Sequence, residues 1–78
     1  KQVIDNIIPH DVVFFGEIGL NGEIRPVANG YARLNEAAKH GFKKAVIPKG
    51  NAPKEALKGL TIYAVSTVSE ALETVADL

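Results

Sequence analysis

The chain has 78 residues, no cysteine and a formal net charge of zero, and 46% of its residues are hydrophobic. This length allows one domain or part of one, and the lack of cysteine excludes disulfides and thiolate metal sites. No apolar run approaches the roughly 20 residues of a membrane span, and no signal-peptide pattern opens the chain. Since the sequence begins with lysine, we expect a fragment of a longer protein.

Charge is unevenly distributed along the chain. Residues 39–58 contain six lysines and one acidic residue, whereas residues 59–78 contain three acidic residues and no base. One interpretation of the lysine-rich stretch is a solvated surface. The other is a patch that faces phosphate groups, because clustered charge acts locally even when the total is zero.

Residues 1–10 are predicted to be a lead-in from the missing first half of a domain, and residues 11–78 to be its C-terminal half. The lead-in is either the end of a helix or an extended segment, and Pro9 would stop a helix near Ile8. The apolar side chains with helical spacing in this segment are Val3, Ile4, Ile7 and Ile8.

Residues 14–27 predict two strands joined by a tight turn, with the first strand over residues 11–19. Apolar residues and glycine occupy every second position from Val12 to Leu20, as a half-buried strand requires. The Asn-Gly pair at positions 21–22 favours a tight turn, because both residues tolerate positive φ. Since proline cannot donate to a ladder, the returning strand should end or lie at an edge at Pro26.

The rest of the chain predicts alternating helices and strands. A helix is expected over residues 30–40, with Asn29 as N-cap and Gly41 as the stop. Strands are expected over residues 45–47 and 60–65, with a helical turn over residues 54–58 between them.

The last predicted helix is capped by Thr67, with Glu70 at capping-box spacing. Its expected buried stripe consists of Val68, Ala71, Leu72 and Val75. The fold class is therefore α/β (α+β): a β-hairpin followed by a βαβα arrangement, whose two later strands form a parallel pair with a right-handed crossover.

Few residues suggest catalysis or metal binding. Ser66 and Ser69 begin the last helix, where capping explains them, and neither has an evident base. His10 and His40 are the only imidazoles, and His40 at a helix end favours a dipole role over metal ligation. No Walker-type loop is present, and the Gly16, Gly19 and Gly22 spacing does not match a dinucleotide site. We therefore predict no catalytic and no metal-binding residue.

Several stretches resemble one family. They are FGEIGLNGEIRPV at residues 15–27, RLNEAAKHGFKKAVIP at residues 33–48, NAP at residues 51–53 and SEAL at residues 69–72. Together they resemble the C-terminal domain of the RadA (Sms) family of bacterial DNA repair proteins. That domain is in turn similar to the proteolytic domain of Lon protease, which has a ribosomal-protein-S-five-like fold. Tyr31 stands where Lon has its catalytic lysine, so the resemblance implies that the Ser-Lys dyad is absent.

The resemblance implies a cytoplasmic DNA-dependent ATPase that acts in recombination and repair by branch migration, together with the recombinase RecA. ATP, magnesium and zinc would bind outside these residues. The segment itself would be a non-catalytic module for DNA contact and ring assembly. The candidate phosphate contacts are Arg25, Arg33, Lys39, Lys43 and Lys44.

Three alternatives stay open. Arg33 could instead form a helix-surface pair with Glu36. The chain could be a fragment of a Lon-type Ser-Lys peptidase, or a purely structural oligomerisation module that uses the hairpin edge at Pro26.

Overall fold

A computed structural model describes residues 11–55 and 57–78. The predicted lead-in over residues 1–10 lies outside this part. In chain order the elements are β1 (Val12–Phe14), β2 (Glu17–Ile18), β3 (Ile24–Arg25), α1 (Gly30–Lys39), β4 (Lys44–Pro48), a 3-10 turn (Lys49–Asn51), β5 (Thr61–Val65) and α2 (Val68–Ala76). The predicted α/β class is confirmed for the described residues.

The main sheet has the strand order β1-β4-β5, and both pairs are parallel. Lys44 lies between Val12 of β1 and Thr61 of β5 in the register. The predicted parallel pairing of the two later strands is therefore confirmed. Strands β2 and β3 form a separate antiparallel ribbon, in which Ile18 lies opposite Ile24.

The two faces of the main sheet carry different cores. On one face, which we call the closed face, the fully buried Leu34 of α1 packs with Ala45, Ile47 and Leu60. On the other face, the open face, Val12, Val46 and Val65 are buried under Ala71, Leu78 and Ile24. Side chains alternate between the two faces here, because Leu60 and Ile62 contact the closed-face cluster while Tyr63 and Val65 belong to the open face.

The predicted continuous strand over residues 11–19 is wrong. It breaks at Phe15 and Gly16, and its two pieces join different sheets. Gly16 has φ +148°, and a Cβ there would lie 3.1 Å from Cγ of Pro48 and 3.0 Å from Cγ2 of Ile24. The close approach of two chain segments therefore requires glycine at the break.

The hairpin exists, but its connection is longer than the predicted Asn-Gly turn. The last register pair is Ile18 with Ile24, and the Gly19 amide then donates to the Glu23 carbonyl at 2.8 Å. Gly22 adopts positive φ as expected, at 79°. Strand β3 ends at Arg25, which confirms that Pro26 ends the returning strand.

Helix α1 begins and ends close to the predicted positions. Asn29 is its N-cap, but the residue is left-handed and its side chain makes no capping bond, so the predicted side-chain cap is wrong. At the other end, Gly41 has φ +87°. The Gly41 amide donates to the Ala38 carbonyl, and the Phe42 amide donates to the Ala37 carbonyl. These two bonds form a Schellman motif, which confirms Gly41 as the stop.

The connection from β4 to β5 differs from its prediction. Lys54 and Glu55 form a bend and Lys58 lies in a turn, so the helical turn expected over residues 54–58 is not found among those of them that the structure describes. A 3-10 turn ends at Asn51, whose side chain accepts from the Val27 amide at 2.8 Å and donates to its carbonyl at 3.0 Å. This pair fixes the crossover to the segment that leads into α1.

Helix α2 is capped as predicted, with one change. The Glu70 amide donates to Oγ1 of Thr67 at 3.1 Å, but the Glu70 carboxylate accepts from the Ser66 amide rather than that of Thr67. The predicted buried stripe is found only in part: Val68, Ala71 and Val75 are half-buried, whereas Leu72 is 65% exposed, so its predicted burial is wrong.

Candidate nucleic-acid interface

Three of the five predicted phosphate contacts lie at one edge of the main sheet. Because α1 crosses back from β1 to β4, the helix ends where β4 begins. The amides of Lys43 and Lys44 donate to the Asp11 carbonyl at 2.9 and 3.2 Å, and the Lys43 carbonyl accepts from the Thr61 amide at 2.8 Å. The amino ends of all three strands therefore meet at this edge. We call Lys39, Lys43 and Lys44 the basic edge.

The basic edge is accessible. Lys39 and Lys43 are exposed and Lys44 is half-buried. Lys39 occupies the last turn of α1, where its charge complements the negative end of the helix dipole. The surface thus has positive charge on both the helix and the strands.

Lys58 is a further base near this edge that the sequence-based set omitted. It is exposed and lies in the turn in which the Leu60 amide donates to the Leu57 carbonyl at 3.1 Å, immediately before β5. A signal for it existed, because the turn precedes the strand that pairs with β4. The amino ends of parallel neighbours must lie at the same edge of their sheet.

Arg33 lies nearer the start of α1, away from the basic edge. Its guanidinium carbon is 5.9 Å from the centroid of the Phe15 ring, within cation–π range. The alternative pairing with Glu36 is wrong, because the Glu36 carboxylate lies 3.2 Å from Nε2 of His40 instead. Arg33 is exposed, but its guanidinium is partly engaged by the Phe15 ring.

Arg25 is separated from the basic edge. It lies on β3, and the hairpin leaves β1 at the opposite, carboxyl end of the main sheet, where Gly16 meets Pro48. Its Nη2 and Nε donate to Oε2 of Glu23 at 2.7 and 3.1 Å. This bond is the main reason that the pKa of Glu23 is held below its usual range. The pairing could have been predicted, since Glu23 and Arg25 share a parity and carry opposite charges.

Ser66, which was considered for catalysis, forms hydrogen bonds through its backbone. The Ser66 amide donates to Glu70 at 2.6 Å, and the Ser66 carbonyl accepts from the Ile24 amide at 2.7 Å. Tyr31 is exposed on the first turn of α1. Among residues 11–55 and 57–78, no serine hydroxyl bonds to a lysine amine and no cluster of three acidic or imidazole side chains forms. His10 lies outside those ranges.

No helix within the described ranges is both long enough and apolar enough to cross a membrane.

Comparison with known proteins identifies relatives of the chain. Residues 2–51 match the family model described as subunit ChlI of Mg-chelatase. The chain is also similar to proteins named DNA repair protein RadA: 58% identical over 66 residues in Pseudomonas aeruginosa, 51% over 74 residues in Escherichia coli, and 45% over 62 residues in Bacillus subtilis.

These matches cover 85%, 95% and 78% of the chain but only 15%, 16% and 14% of the relatives. The chain therefore spans about one seventh of the length of the curated relatives that it matches.

Proposed function

The chain belongs to the family whose model is described as subunit ChlI of Mg-chelatase, and we propose that within it this chain is the Lon-like C-terminal module of a RadA-type DNA repair protein. In this proposal the module does no chemistry. It contacts DNA through the basic edge and contributes to ring assembly. Its fold is the C-terminal half of the ribosomal-protein-S-five-like domain, from residue 11 to residue 78.

The similarity to RadA proteins carries this proposal. Identities of 45–58% extend over most of the chain in relatives from different bacteria, and each relative is named for DNA repair. The DNA-dependent ATPase activity, branch migration and the action with RecA would belong to the whole cytoplasmic protein. ATP, magnesium and zinc would bind in the parts of it that these residues do not include.

The physical basis for DNA contact is the concentration of lysines on one edge. Lysines that approach phosphates release condensed counterions, so several neighbouring bases give binding without sequence readout. Lys39 lies in the last turn of α1, Lys43 and Lys44 lie where β4 begins, and Lys58 lies in the turn before β5. Arg33 and Arg25 contribute less to DNA contact than the lysines. The Arg33 guanidinium lies over the Phe15 ring, and Arg25 is paired with Glu23.

The basis for assembly is the exposed apolar surface of the hairpin. Ile18 is 69% exposed and Leu20 is fully exposed at the connection between β2 and β3. Exposed apolar side chains that lie close together typically mark an interface with another protein surface. A purely structural oligomerisation module would use the same surface, so the two functions must be tested separately.

The DNA contact is tested with equilibrium binding of duplex and single-stranded DNA to the 78-residue chain. Replacing Lys43 and Lys44 with Gln should weaken binding to every sequence alike, because only phosphate contacts are lost. Lys54→Gln is the matched control, since this exposed lysine lies beyond the carboxyl end of β4. Equal effects of the control and the double variant would refute the basic edge as the contact.

Assembly is tested by sedimentation over a concentration series. Leu20→Ser should shift the chain toward the monomer without changing DNA affinity per chain. If Leu20→Ser leaves self-association unchanged, the hairpin is not the assembly surface. If the chain self-associates through the hairpin and binds no DNA, the structural module replaces the DNA-contact proposal.

A further inference from the structure

The main sheet has two edges, and they differ in how well they are protected. Strand β1 has three residues and ends at the break at Phe15 and Gly16. Strand β5 has five residues, Thr61–Val65, and none of them is charged, proline or glycine. Short strands, breaks and charged side chains normally keep an edge from pairing with another chain. The outer edge of β5 lacks these devices, and within residues 11–55 and 57–78 no strand pairs with it.

The backbone groups along this edge point outward. The Thr61 amide donates to the Lys43 carbonyl at 2.8 Å, on the β4 side. Because successive residues of a strand direct their backbone groups to opposite sides, the amides and carbonyls of Ile62 and Ala64 face away from β4. Thr61 and Ala64 are exposed and Ile62 is half-buried, so the edge is open to a second chain. Donors and acceptors that repeat every two residues fit an extended backbone.

We propose that β5 is a docking surface for a second copy of this chain, and that the two β5 strands pair antiparallel about Tyr63. The two three-stranded sheets then form one six-stranded sheet. In this register Ile62 lies opposite Ala64 of the second copy, and the two residues exchange two hydrogen bonds. The two-fold symmetry repeats this pair on the other side of the axis, so both outward-facing residues of each copy are bonded.

The side chains on the open face are complementary in this register. Tyr63 belongs to the open face and meets its own copy at the axis. This is a non-hydrogen-bonded pair, in which cross-strand side chains lie closest, and aromatic pairs stabilise such positions. Thr61 lies opposite Val65, so two β-branched side chains are neighbours. No like charges face each other, since β5 carries no charge.

The closed face offers room for the larger member of the other pair. Beside β5 lies a shallow, mainly apolar groove, whose lining includes Pro53, Leu60 and Ala64. Ile62 of the second copy lies opposite Ala64 and therefore borders this groove. The small side chain of Ala64 leaves the space that the larger Ile62 fills.

Charge favours the antiparallel arrangement over a parallel one. Lys44 lies beside Thr61 in the register, and Lys58 precedes Thr61 in the chain. Antiparallel pairing places the two copies of Thr61 about 13 Å apart along the strands, beyond the screening distance of about 8 Å at physiological salt. Parallel pairing would set the lysines of the two copies side by side.

Sedimentation of a Leu20→Ser chain tests this surface apart from the hairpin contact. Leu20→Ser should lower the mass no further than that of a dimer. Adding Ala64→Lys should then give the monomer, because the two new charges would lie about 7 Å apart along the strands. Ala76→Lys, at an exposed alanine of α2, is the matched control and should leave the dimer. A Leu20→Ser chain that is monomeric throughout the concentration series, or equal effects of the two lysine variants, would overturn the proposal.

Disulfide formation tests the register, since the chain has no cysteine of its own. Tyr63→Cys should form linked dimers under mild oxidation at least tenfold faster than Thr61→Cys, because only position 63 meets its own copy within disulfide reach. Accessibility alone predicts the opposite order, since Thr61 is exposed and Tyr63 is half-buried. Equal rates, or a faster Thr61→Cys, would overturn the pairing about Tyr63. The sedimentation result stands by itself if Tyr63→Cys does not fold.

Discussion

The two faces of the main sheet differ in how completely their apolar side chains are covered. On the closed face, Leu34, Ala45 and Ile47 have no exposed surface. On the open face, Leu72 remains 65% exposed. It belongs to the apolar stripe of α2, which is as regularly spaced as the apolar face of α1 that carries Leu34. The apolar pattern of an amphipathic helix therefore predicts which side of the helix faces the core. The extent of burial depends on the elements that pack around that side.

The largest expected effect comes from truncating the closed face. Leu34→Ala should lower the free energy of unfolding by about 2–5 kcal/mol, because it leaves a cavity in a fully packed cluster. Leu72→Ala, the matched change on the open face, should alter it by less than about 0.5 kcal/mol. Urea denaturation of both variants measures the contrast. Comparable losses would mean that the open face is as well packed as the closed one.

The next effect concerns the side chain that ties the crossover to the start of α1. Asn51→Ala removes both hydrogen bonds to the backbone of Val27 and should cost about 1–3 kcal/mol, because partly buried backbone groups lose their partners. Denaturation of Asn21→Ala, an exposed residue of the hairpin connection, provides the control. A loss no greater than that of the control would show that water replaces the Asn51 amide without cost.

A smaller effect is expected at the cap of α2, which supports the open face. Thr67→Ala should destabilise the chain by about 1 kcal/mol, because the Glu70 amide loses its acceptor. Thr67→Ser keeps the hydroxyl and should restore most of the stability. If serine were as destabilising as alanine, the methyl group rather than the cap would be responsible.

The smallest effect is the pH dependence due to Glu70. The ordinary pKa of a glutamate carboxyl group is 4.5, and that of Glu70 is lowered. The main cause is the Ser66 amide, which donates a hydrogen bond to the Glu70 carboxylate. The folded state therefore favours the ionised form, so the stabilisation is present above about pH 4.5 and is lost as the pH falls through the folded-state pKa.

Unfolding of the native chain and of Glu70→Gln, compared from pH 7 to pH 3, measures this effect. The native chain should be the more stable at pH 7, and the difference should shrink on acidification. A difference independent of pH would assign the effect to geometry rather than to charge.

Local rules in the sequence predicted the ends of the helices. The Gly41 stop and the Thr67 cap depend on neighbours within a few residues, so propensity and spacing were sufficient. The strand break at Gly16 could not be predicted, because the alternating pattern continues through it and the cause is a contact with Pro48, 32 positions later. The exposure of Leu72 was missed for the same reason, since a stripe does not specify what covers it.

The candidate site was predicted in part. Spacing placed Lys43 and Lys44 before a strand and Lys39 at a helix end, and parallel topology brings them to one edge. The sequence grouped Arg25 with these lysines as a candidate phosphate contact. In the structure Arg25 lies on the hairpin, which leaves β1 at the opposite, carboxyl end of the main sheet. Lys58 was omitted, although it immediately precedes the strand that pairs with β4.

The salt dependence of DNA binding tests most directly whether the basic edge contacts phosphates. The logarithm of the binding constant should fall linearly with the logarithm of the salt concentration, and each of Lys39→Gln, Lys43→Gln and Lys44→Gln should reduce the slope by about one. Lys54→Gln should leave the slope as it is. A slope that none of the three edge variants changes would contradict the proposal, even if their affinities differed.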